Sequence, residues 1–433
     1  MSSQRQLNSK LHAAAADGDG AAIGQALAAG AKVSSFDAEF GMTALHVVAC
    51  AGHAALVAQL AAAGAAVSKG REEDGRSALH CVCDEGAGLD VADALLKAGA
   101  DPNARDDADW TPLHCTAYMG AAAYTALLLE RGANVDALND CGQSPLSVAA
   151  ESCGTTWVDR ESDYAATARA LLDAGVSPSS AEGLDAPLHL AARAGNAGVA
   201  KALCDAGAEV DAKTGAHSGS ATALHIASAR GDVAVMSVLL GAGAGLEVRE
   251  GSDGLTPLQL AVQMGQEGGV RALLVAGASP HTRSAVGLSA LHLAAQGGDA
   301  PILRLLLDAI KAAGAGAVGD AGGAGAGGAG GAGADAGGAG VASATASSSA
   351  PGVPSPLHLA CYGGHHEAVS LLLAHRVGDA AAVSDASLDT PLHVAYRRGH
   401  ARVVVLLLRA PSGQAAEGMR NARGQAPAEG AQQ

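Results

Sequence analysis

The chain has 433 residues, of which 49% are apolar but only 2% aromatic, and its formal net charge is −16. This length exceeds the size at which one hydrophobic core usually stops growing, so several domains or a repeat array are expected. The negative charge opposes binding to nucleic-acid backbones and anionic membrane surfaces. The first residues lack a signal-peptide core, and the longest aliphatic run, 403–408, is too short to span a bilayer. Eight scattered cysteines favour a reducing compartment, so we expect a cytoplasmic or nuclear protein with no membrane insertion.

A short phrase built around Leu-His recurs along the whole chain, mostly every 33 to 36 residues, with two longer intervals of 42 and 66. A Gly follows six residues after the marker position in ten of the eleven copies, and a Ser or Thr precedes it by three residues in ten. These columns indicate an internal repeat, whose marker residues are His12, His46, His80, His114, Ser147, His189, His225, Gln259, His292, His358 and His393.

Each column of the repeat has a physical reason within a two-helix unit. In the fourth copy, Thr111 suits the N-cap of a first helix, and His114 occupies the N3 position, from which a side chain reaches back to the cap. Gly120 ends that helix, because the left-handed residue after a helix is most easily a glycine. Residues 124–130 form a second short helix, which ends at Gly132. The polar, turn-rich segment that follows leads the chain to the next cap.

A unit of about 33 residues that reads Thr-Pro-Leu-His, a helix, Gly, a second helix with Leu-Leu and then Gly-Ala resembles the ankyrin repeat. The resemblance covers residues 7–311 and 355–411 in eleven copies. It implies an all-α repeat solenoid of ankyrin-type helix-turn-helix units with β-hairpin fingers. It also implies a non-catalytic scaffold or adaptor that binds a partner protein through the fingers and the concave face. The alternative is a regulatory or substrate-recruiting subunit of a larger complex, acting in a ubiquitin ligase, in channel anchoring or in transcriptional regulation.

The departures from the repeat define the domain organisation. Residues 1–311 hold nine copies, with an insertion in the fifth near 153–163. Residues 312–354 are rich in Gly, Ala and Ser and are expected to be a disordered linker. Two further copies occupy 355–411, and 412–433 are a partial repeat or a disordered tail. The linker either tethers two independent modules or loops out of one continuous stack. Continuous stacking is favoured, because two copies are fewer than a solenoid usually needs.

One short cluster, His80, Cys81 and Cys83, invites a zinc interpretation. In other copies the column of Cys81 holds apolar residues and that of Cys83 holds small ones, which indicates buried positions. Residues two apart on a helix point away from each other, so the two thiols would not meet at one ion. We therefore expect no metal and no cofactor here. The chain also lacks recognisable catalytic motifs, and we expect that it is not an enzyme.

The residues at the ends of the first helices are the candidates for partner binding. They change from acidic in the first half to basic in the second. Trp110 stands immediately before a cap and is expected to be exposed. With Tyr118 and Met119 it forms an apolar group inside an acidic rim. The alternative is that these three are ordinary solvated positions. A tryptophan in the insertion either contacts the partner or covers its own repeat. The candidates are Trp110, Tyr118, Met119, Asp84, Glu85, Asp107 and Trp157. We expect a monomer that binds a protein partner and no nucleic acid.

Overall fold

The computed structural model describes residues 2–152, 161–179, 185–215, 219–251, 253–316, 353–377 and 388–429. The chain divides into two compact units, residues 1–212 (the first unit) and 213–433 (the second unit). This division lies inside the predicted array 1–311 rather than at the predicted linker. The two units are described separately below.

Short helices in pairs form the first unit, and within each pair a first helix follows a cap and a second helix returns. Their bounds are α1 Ser2–Ala16, α2 Gly20–Ala28, α3 Ala44–Cys50, α4 Ala54–Ala62, α5 Ala78–Glu85, α6 Leu89–Lys97, α7 Pro112–Met119, α8 Ala122–Glu130, α9 Pro145–Glu151, α10 Glu161–Asp173, α11 Pro187–Ala194 and α12 Ala197–Asp205.

The same alternation continues in the second unit. Its helices are α13 Ala223–Arg230, α14 Val233–Gly241, α15 Pro257–Gln263, α16 Glu267–Val275, α17 Ala290–Gly297, α18 Ala300–Gly316, α19 Pro356–Gly363, α20 His366–Ala374, α21 Pro391–Arg398, α22 Ala401–Arg409 and the short α23 Gly413–Gly418. The described part of the chain contains no β-sheet, which agrees with the predicted all-α repeat solenoid.

The predicted start and stop residues form the helix ends. At the start of α7, the imidazole Nδ1 of His114 accepts the backbone N–H of Thr111 at 3.1 Å. At its end, Gly120 has a φ of 65°, in the left-handed region that favours glycine. Pro112 occupies the first turn of this helix, where a missing N–H leaves no partner unsatisfied. The repeat columns therefore act as the sequence predicted.

Small and branched apolar side chains fill the core between consecutive pairs. First helices pack on neighbouring first helices, as α5 does on α3 and α7, and second helices pack on second helices, as α6 does on α4 and α8. Leu79 and Leu113 are fully buried at equivalent positions of α5 and α7. Many of the remaining buried positions are Ala. Such small side chains allow the thin helices to approach each other closely.

The segments between helix pairs form the expected hairpin fingers. Antiparallel bridges join Phe36 to Thr43 and Gly70 to Ser77 in the first unit. Neighbouring fingers are also joined along their edges, since the backbone N–H of Asp107 donates to the carbonyl of Asp74 at 3.0 Å. These bonds fix the spacing from one finger to the next.

The structure differs from the sequence interpretation at the start of the predicted linker. Helix α18 continues to Gly316, beyond the predicted boundary at 312, because the residues after Ile310 include a Lys-Ala-Ala run with high helix propensity. Residues 317–352 lie outside the described residues. On either side of them, α19 packs on α17 and α20 packs on α18. The imidazole Nε2 of His365 bonds to the carbonyl of Gln296 at 3.0 Å across this junction.

The last described residues repeat the geometry of a finger. The backbone N–H of Asn421 donates to the carbonyl of Gln425 at 3.0 Å, as that of Asn139 donates to Gln143 at 3.1 Å. The imidazole Nε2 of His393 bonds to the same carbonyl of Gln425 at 3.0 Å. The described segment after α22 therefore has the hydrogen bonds of a finger.

Candidate protein-binding site

A side-chain pair that spans eight residues recurs beside the first helices. Its first member immediately precedes the N-cap, and its second lies near the end of the first helix. Because the N-cap residue itself is extended, the side chain before it lies alongside the helix and contacts a residue near the helix end. The pairs are Arg76 with Asp84 at 3.0 Å, Gln143 with Glu151 at 2.6 Å, Asp185 with Arg193 at 2.6 Å, and Asp389 with Arg397.

Trp110 and Tyr118 are the aromatic members of this column. Their ring centroids are 5.8 Å apart in an edge-to-face arrangement, and the Trp110 ring also lies 5.9 Å from that of His114. The backbone N–H of Trp110 donates to the carboxylate of Asp106 at 2.8 Å. Trp110 is therefore half-buried, and the expectation that it is substantially exposed is wrong. The space that it fills lies along its own first helix, outside the core columns of the repeat.

Tyr118 carries most of the exposed aromatic surface of this region, with 40% of the residue accessible. Its backbone carbonyl accepts a bond from the hydroxyl of Tyr164 at 3.1 Å, which holds the end of α7 in place. Met119 beside it is half-buried. We call Trp110, Tyr118 and Met119 the aromatic patch.

The remaining predicted residues are distributed around the patch. Asp84 is half-buried and accepts from Arg76, whereas Asp107 is exposed at the tip of a finger. The side chain of Glu85 and the whole of Trp157 lie outside what the structure describes.

Arg76 is the residue that the sequence interpretation missed. Its guanidinium bonds to the Asp84 carboxylate at 3.0 Å and to the Cys115 sulfur at 2.9 Å, and its Nε lies 3.8 Å from a carboxylate oxygen of Asp106. This cation therefore neutralises part of the predicted acidic rim. The signal that could have found it is the recurrence of opposite charges eight residues apart in several copies.

A second set of acidic residues has no such neutralisation. These carboxylates occupy one position in four consecutive fingers, all are exposed, and none has a Lys or Arg of the described chain within ion-pair distance: Glu39, Glu73, Asp107 and Asp140. We call them the finger carboxylates. By contrast, neighbouring Asp74 is paired with Arg71 at 2.6 Å. The first unit as a whole contains 13 Lys and Arg against 28 Asp and Glu. Its fingers therefore present a negative surface.

The cluster of His80, Cys81 and Cys83 is buried, as expected for packing residues. The imidazole Nδ1 of His80 accepts the backbone N–H of Ser77 at 3.2 Å, so the ring proton is on Nε2, which donates to the carbonyl of Trp110 at 3.0 Å. Burial lowers the pKa of His80 and raises that of the Cys83 thiol. Among the described residues, no three His, Cys, Asp or Glu side chains are grouped to hold a metal ion. His80 instead fixes the backbone of Trp110 from the preceding repeat.

No helix in the described ranges has the length and apolar composition needed to cross a membrane.

Comparison with protein families agrees with this architecture. A model described as ankyrin repeats in three copies matches residues 11–106, 87–159, 188–284 and 343–416, and a single ankyrin-repeat model matches 286–313. No curated protein matches the chain significantly. Ankyrin repeats are generally modules of protein–protein interaction and are typically non-catalytic. Because the matched segments cover well over half of its length, the chain belongs to the ankyrin repeat family.

Proposed function

We propose that this protein is a non-catalytic scaffold or adaptor whose first unit binds a partner protein at the aromatic patch. The observation that supports this proposal best is the exposed ring of Tyr118, which stands against half-buried Trp110 at the end of α7. Tyr and Trp are enriched among the residues that dominate binding energy, and they cluster near the centre of interfaces.

Contacts within the chain hold the residues of the patch in place. The edge-to-face contact restrains both rings, and the carbonyl groups of Trp110 and Tyr118 accept bonds from His80 and Tyr164. A side chain that is already ordered loses little conformational entropy on binding, so more of its contact energy appears as affinity. Leu138, before the next cap, adds an exposed apolar side chain, and Phe40 adds another two fingers earlier in the chain.

The charges around the patch favour a partner with a basic surface. Asp84 and Asp106 lie near Arg76, but the finger carboxylates keep their charge uncompensated. Complementary charges accelerate association and fix the register of a complex, and salt screens them. We therefore infer that the partner presents Lys or Arg side chains to the fingers around an apolar contact.

The repeat histidines support a non-catalytic role. In His46, His80 and His114 both ring nitrogens are engaged, Nδ1 with the cap and Nε2 with a carbonyl of the next finger. A general base or a metal ligand needs a nitrogen that is free to face its substrate or ion. These imidazoles are used for structure.

Site-specific photo-crosslinking tests this proposal, because it captures a partner whose identity has not been determined. A photoreactive phenylalanine analogue at Tyr118 should capture a specific protein in living cells. The same analogue at Val275, which is 84% exposed on the second unit, is the control. Capture of the same proteins in the same yield from both positions would contradict the proposed site.

A further inference from the structure

The second unit exposes another aromatic side chain, in a different charge environment. Tyr362, near the end of α19, is 57% exposed. The guanidinium carbon of Arg398, the last residue of α21, lies 3.7 Å from the centroid of the Tyr362 ring. The imidazole Nε2 of His400 bonds to the Tyr362 carbonyl at 3.2 Å. The two side chains therefore form an ordered cation–π pair on adjacent repeats.

The two adjacent arginines of α21 differ in their partners. Arg397 is ion-paired with Asp389, a nearly buried carboxylate that also accepts from the Asn421 side chain at 3.0 Å. Arg398 has no Asp or Glu within ion-pair distance in the described part of the second unit. Its charge is thus available to a ligand.

Because the Arg398 guanidinium lies over the Tyr362 ring, the edge that carries its N–H groups can still donate to a ligand. A ring beneath the guanidinium contacts its flat face, whereas the N–H groups point outward in its plane. A carboxylate can accept two of these N–H groups side by side, which is the strongest pairing available to arginine. Because the Tyr362 ring already holds the Arg398 head, binding costs less side-chain entropy.

The surrounding charges point to an anionic partner. Residues 353–377 and 388–429 contain seven Arg and no Lys, against four Asp and Glu. Two of these four carboxylates are already ion-paired, Asp389 with Arg397 and Glu429 with Arg420. The other two are Glu367 on α20 and Glu417 on α23. This end of the second unit has the charge preference opposite to that of the first unit.

We propose that Tyr362 and Arg398 form a second docking surface, which binds an acidic peptide segment of a partner protein. A Glu or Asp of that segment pairs with the edge of the Arg398 guanidinium, and an adjacent apolar side chain packs on the exposed Tyr362 ring. The inference goes beyond the proposed function, because it gives the chain two docking surfaces that select partners of opposite charge.

Peptide binding to the full chain tests the second surface. The probe is a fluorescein-labelled peptide that carries Glu-Leu-Glu between Gly-Ser flanks, measured by polarisation at low salt. We expect saturable binding, weakened about tenfold by Arg398→Gln, since a bidentate charged pair is lost. Tyr362→Ala should weaken it severalfold, and so should Arg398→Lys, which keeps the charge but not the planar edge. A probe with Gln in place of Glu should not bind.

The matched control is Arg409→Gln, which removes an exposed arginine of the same unit and should change the affinity less than twofold. Tyr118→Ala should leave peptide binding unchanged, so the result is independent of the aromatic patch. Equal losses for Arg398→Gln and Arg409→Gln would show general attraction and overturn the proposal. Absence of binding at about 1 mM peptide, or tighter binding of a single-stranded RNA of equal length, would also overturn it.

Discussion

His114 and Gln259 make the same two connections with different side chains. Each accepts the backbone N–H of its own cap, at 3.1 Å for His114 and 3.0 Å for Gln259. Each donates to the carbonyl that precedes the next cap, at 3.0 Å and 2.9 Å. One residue thus ties the start of its helix to the following finger. The sequence predicted the bond to the cap, but the second bond joins residues about 30 apart and has no local signal.

Substitutions of His114 separate hydrogen bonding from packing. His114→Gln should cost less than 1 kcal/mol, because Gln259 shows that glutamine makes both bonds. His114→Leu should cost about 2 to 4 kcal/mol, because it leaves a buried N–H and a buried carbonyl unpaired. Denaturant unfolding of the two variants measures this difference. Equal losses of stability would contradict the bonding account.

The directions of the Trp110 and Arg76 side chains could not be predicted from the sequence pattern. Both occupy the position before a cap, where helical periodicity no longer tells which way a side chain points. The buried positions of the repeat hold small or aliphatic residues, so the sequence predicts that a tryptophan outside them is exposed. The eight-residue pair with Tyr118 instead gives the Trp110 ring a place to pack.

The contact of Trp110 with Tyr118 gives removal of the Trp110 ring an expected cost in stability. Trp110→Ala should lower the free energy of unfolding by about 1 to 2 kcal/mol, above the ~0.5 kcal/mol typical of a surface position. Thermal or denaturant melting of this variant provides the measurement. A loss within ~0.5 kcal/mol would show that the ring makes no stabilising contact in solution.

At the scale of elements, the starts of the first helices make the protein sensitive to acid. Burial lowers the pKa of His46 and of His292 to about 4, and it also lowers the pKa of His80, His114 and His189. In the unfolded chain these groups titrate near 6.5. As the pH falls below 6.5, these histidines bind protons in the unfolded chain before they do so in the folded protein. The stability that their neutral rings contribute is therefore fully present above pH 6.5 and is lost as the pH falls toward 4.

The melting temperature should therefore fall steadily between pH 6.5 and pH 4. Replacing His46 and His292 by glutamine should reduce this dependence, because glutamine can accept the backbone N–H of the cap, as Gln259 does, and does not titrate in this range. Calorimetry of the two proteins across the interval provides the comparison. A wild-type melting temperature that stays constant down to pH 4 would refute the assignment of buried, neutral imidazoles.

The packing of whole helices is best seen at the junction between α18 and α19, on either side of the Gly-rich segment. The sequence predicted the repeats on both sides and favoured their stacking, but it placed the end of α18 too early. Composition alone sets the Gly-rich segment apart from the repeats, and residues 317–352 of it lie outside the described residues. Composition could not show how far the helix continues into this segment, because the Lys-Ala-Ala run after Ile310 favours a helix whereas the glycines that follow do not.

Truncation of the chain after Ala350 tests this packing. It would remove the helices that cover α17 and α18, including the bond between His365 and Gln296. We expect a lower melting temperature and exposed apolar surface, seen as increased binding of a hydrophobic dye. Unchanged melting and dye binding would mean that the last repeats do not support the ninth.

At the scale of the whole molecule, charge is distributed unevenly along the chain. The first unit has an excess of 15 acidic residues, whereas the second has 14 Lys and Arg against 15 Asp and Glu. The predicted monomeric state fits a strongly negative first unit, which would repel its own copies. Sedimentation at low salt tests this expectation.

The fold was predictable because each repeat shows the same cap, helix and glycine positions again. The site was less predictable, because it depends on positions that vary from copy to copy.

The most direct test of the central claim is a paired measurement of stability and affinity on Tyr118→Ala, with the partner captured at that position. We expect the melting temperature to change little and binding to weaken by about 2 kcal/mol, roughly thirtyfold, with an association rate that falls as salt increases. Val275→Ala should leave both stability and affinity unchanged. Unchanged affinity for Tyr118→Ala, at wild-type stability, would contradict the assignment of the aromatic patch as the partner-binding site.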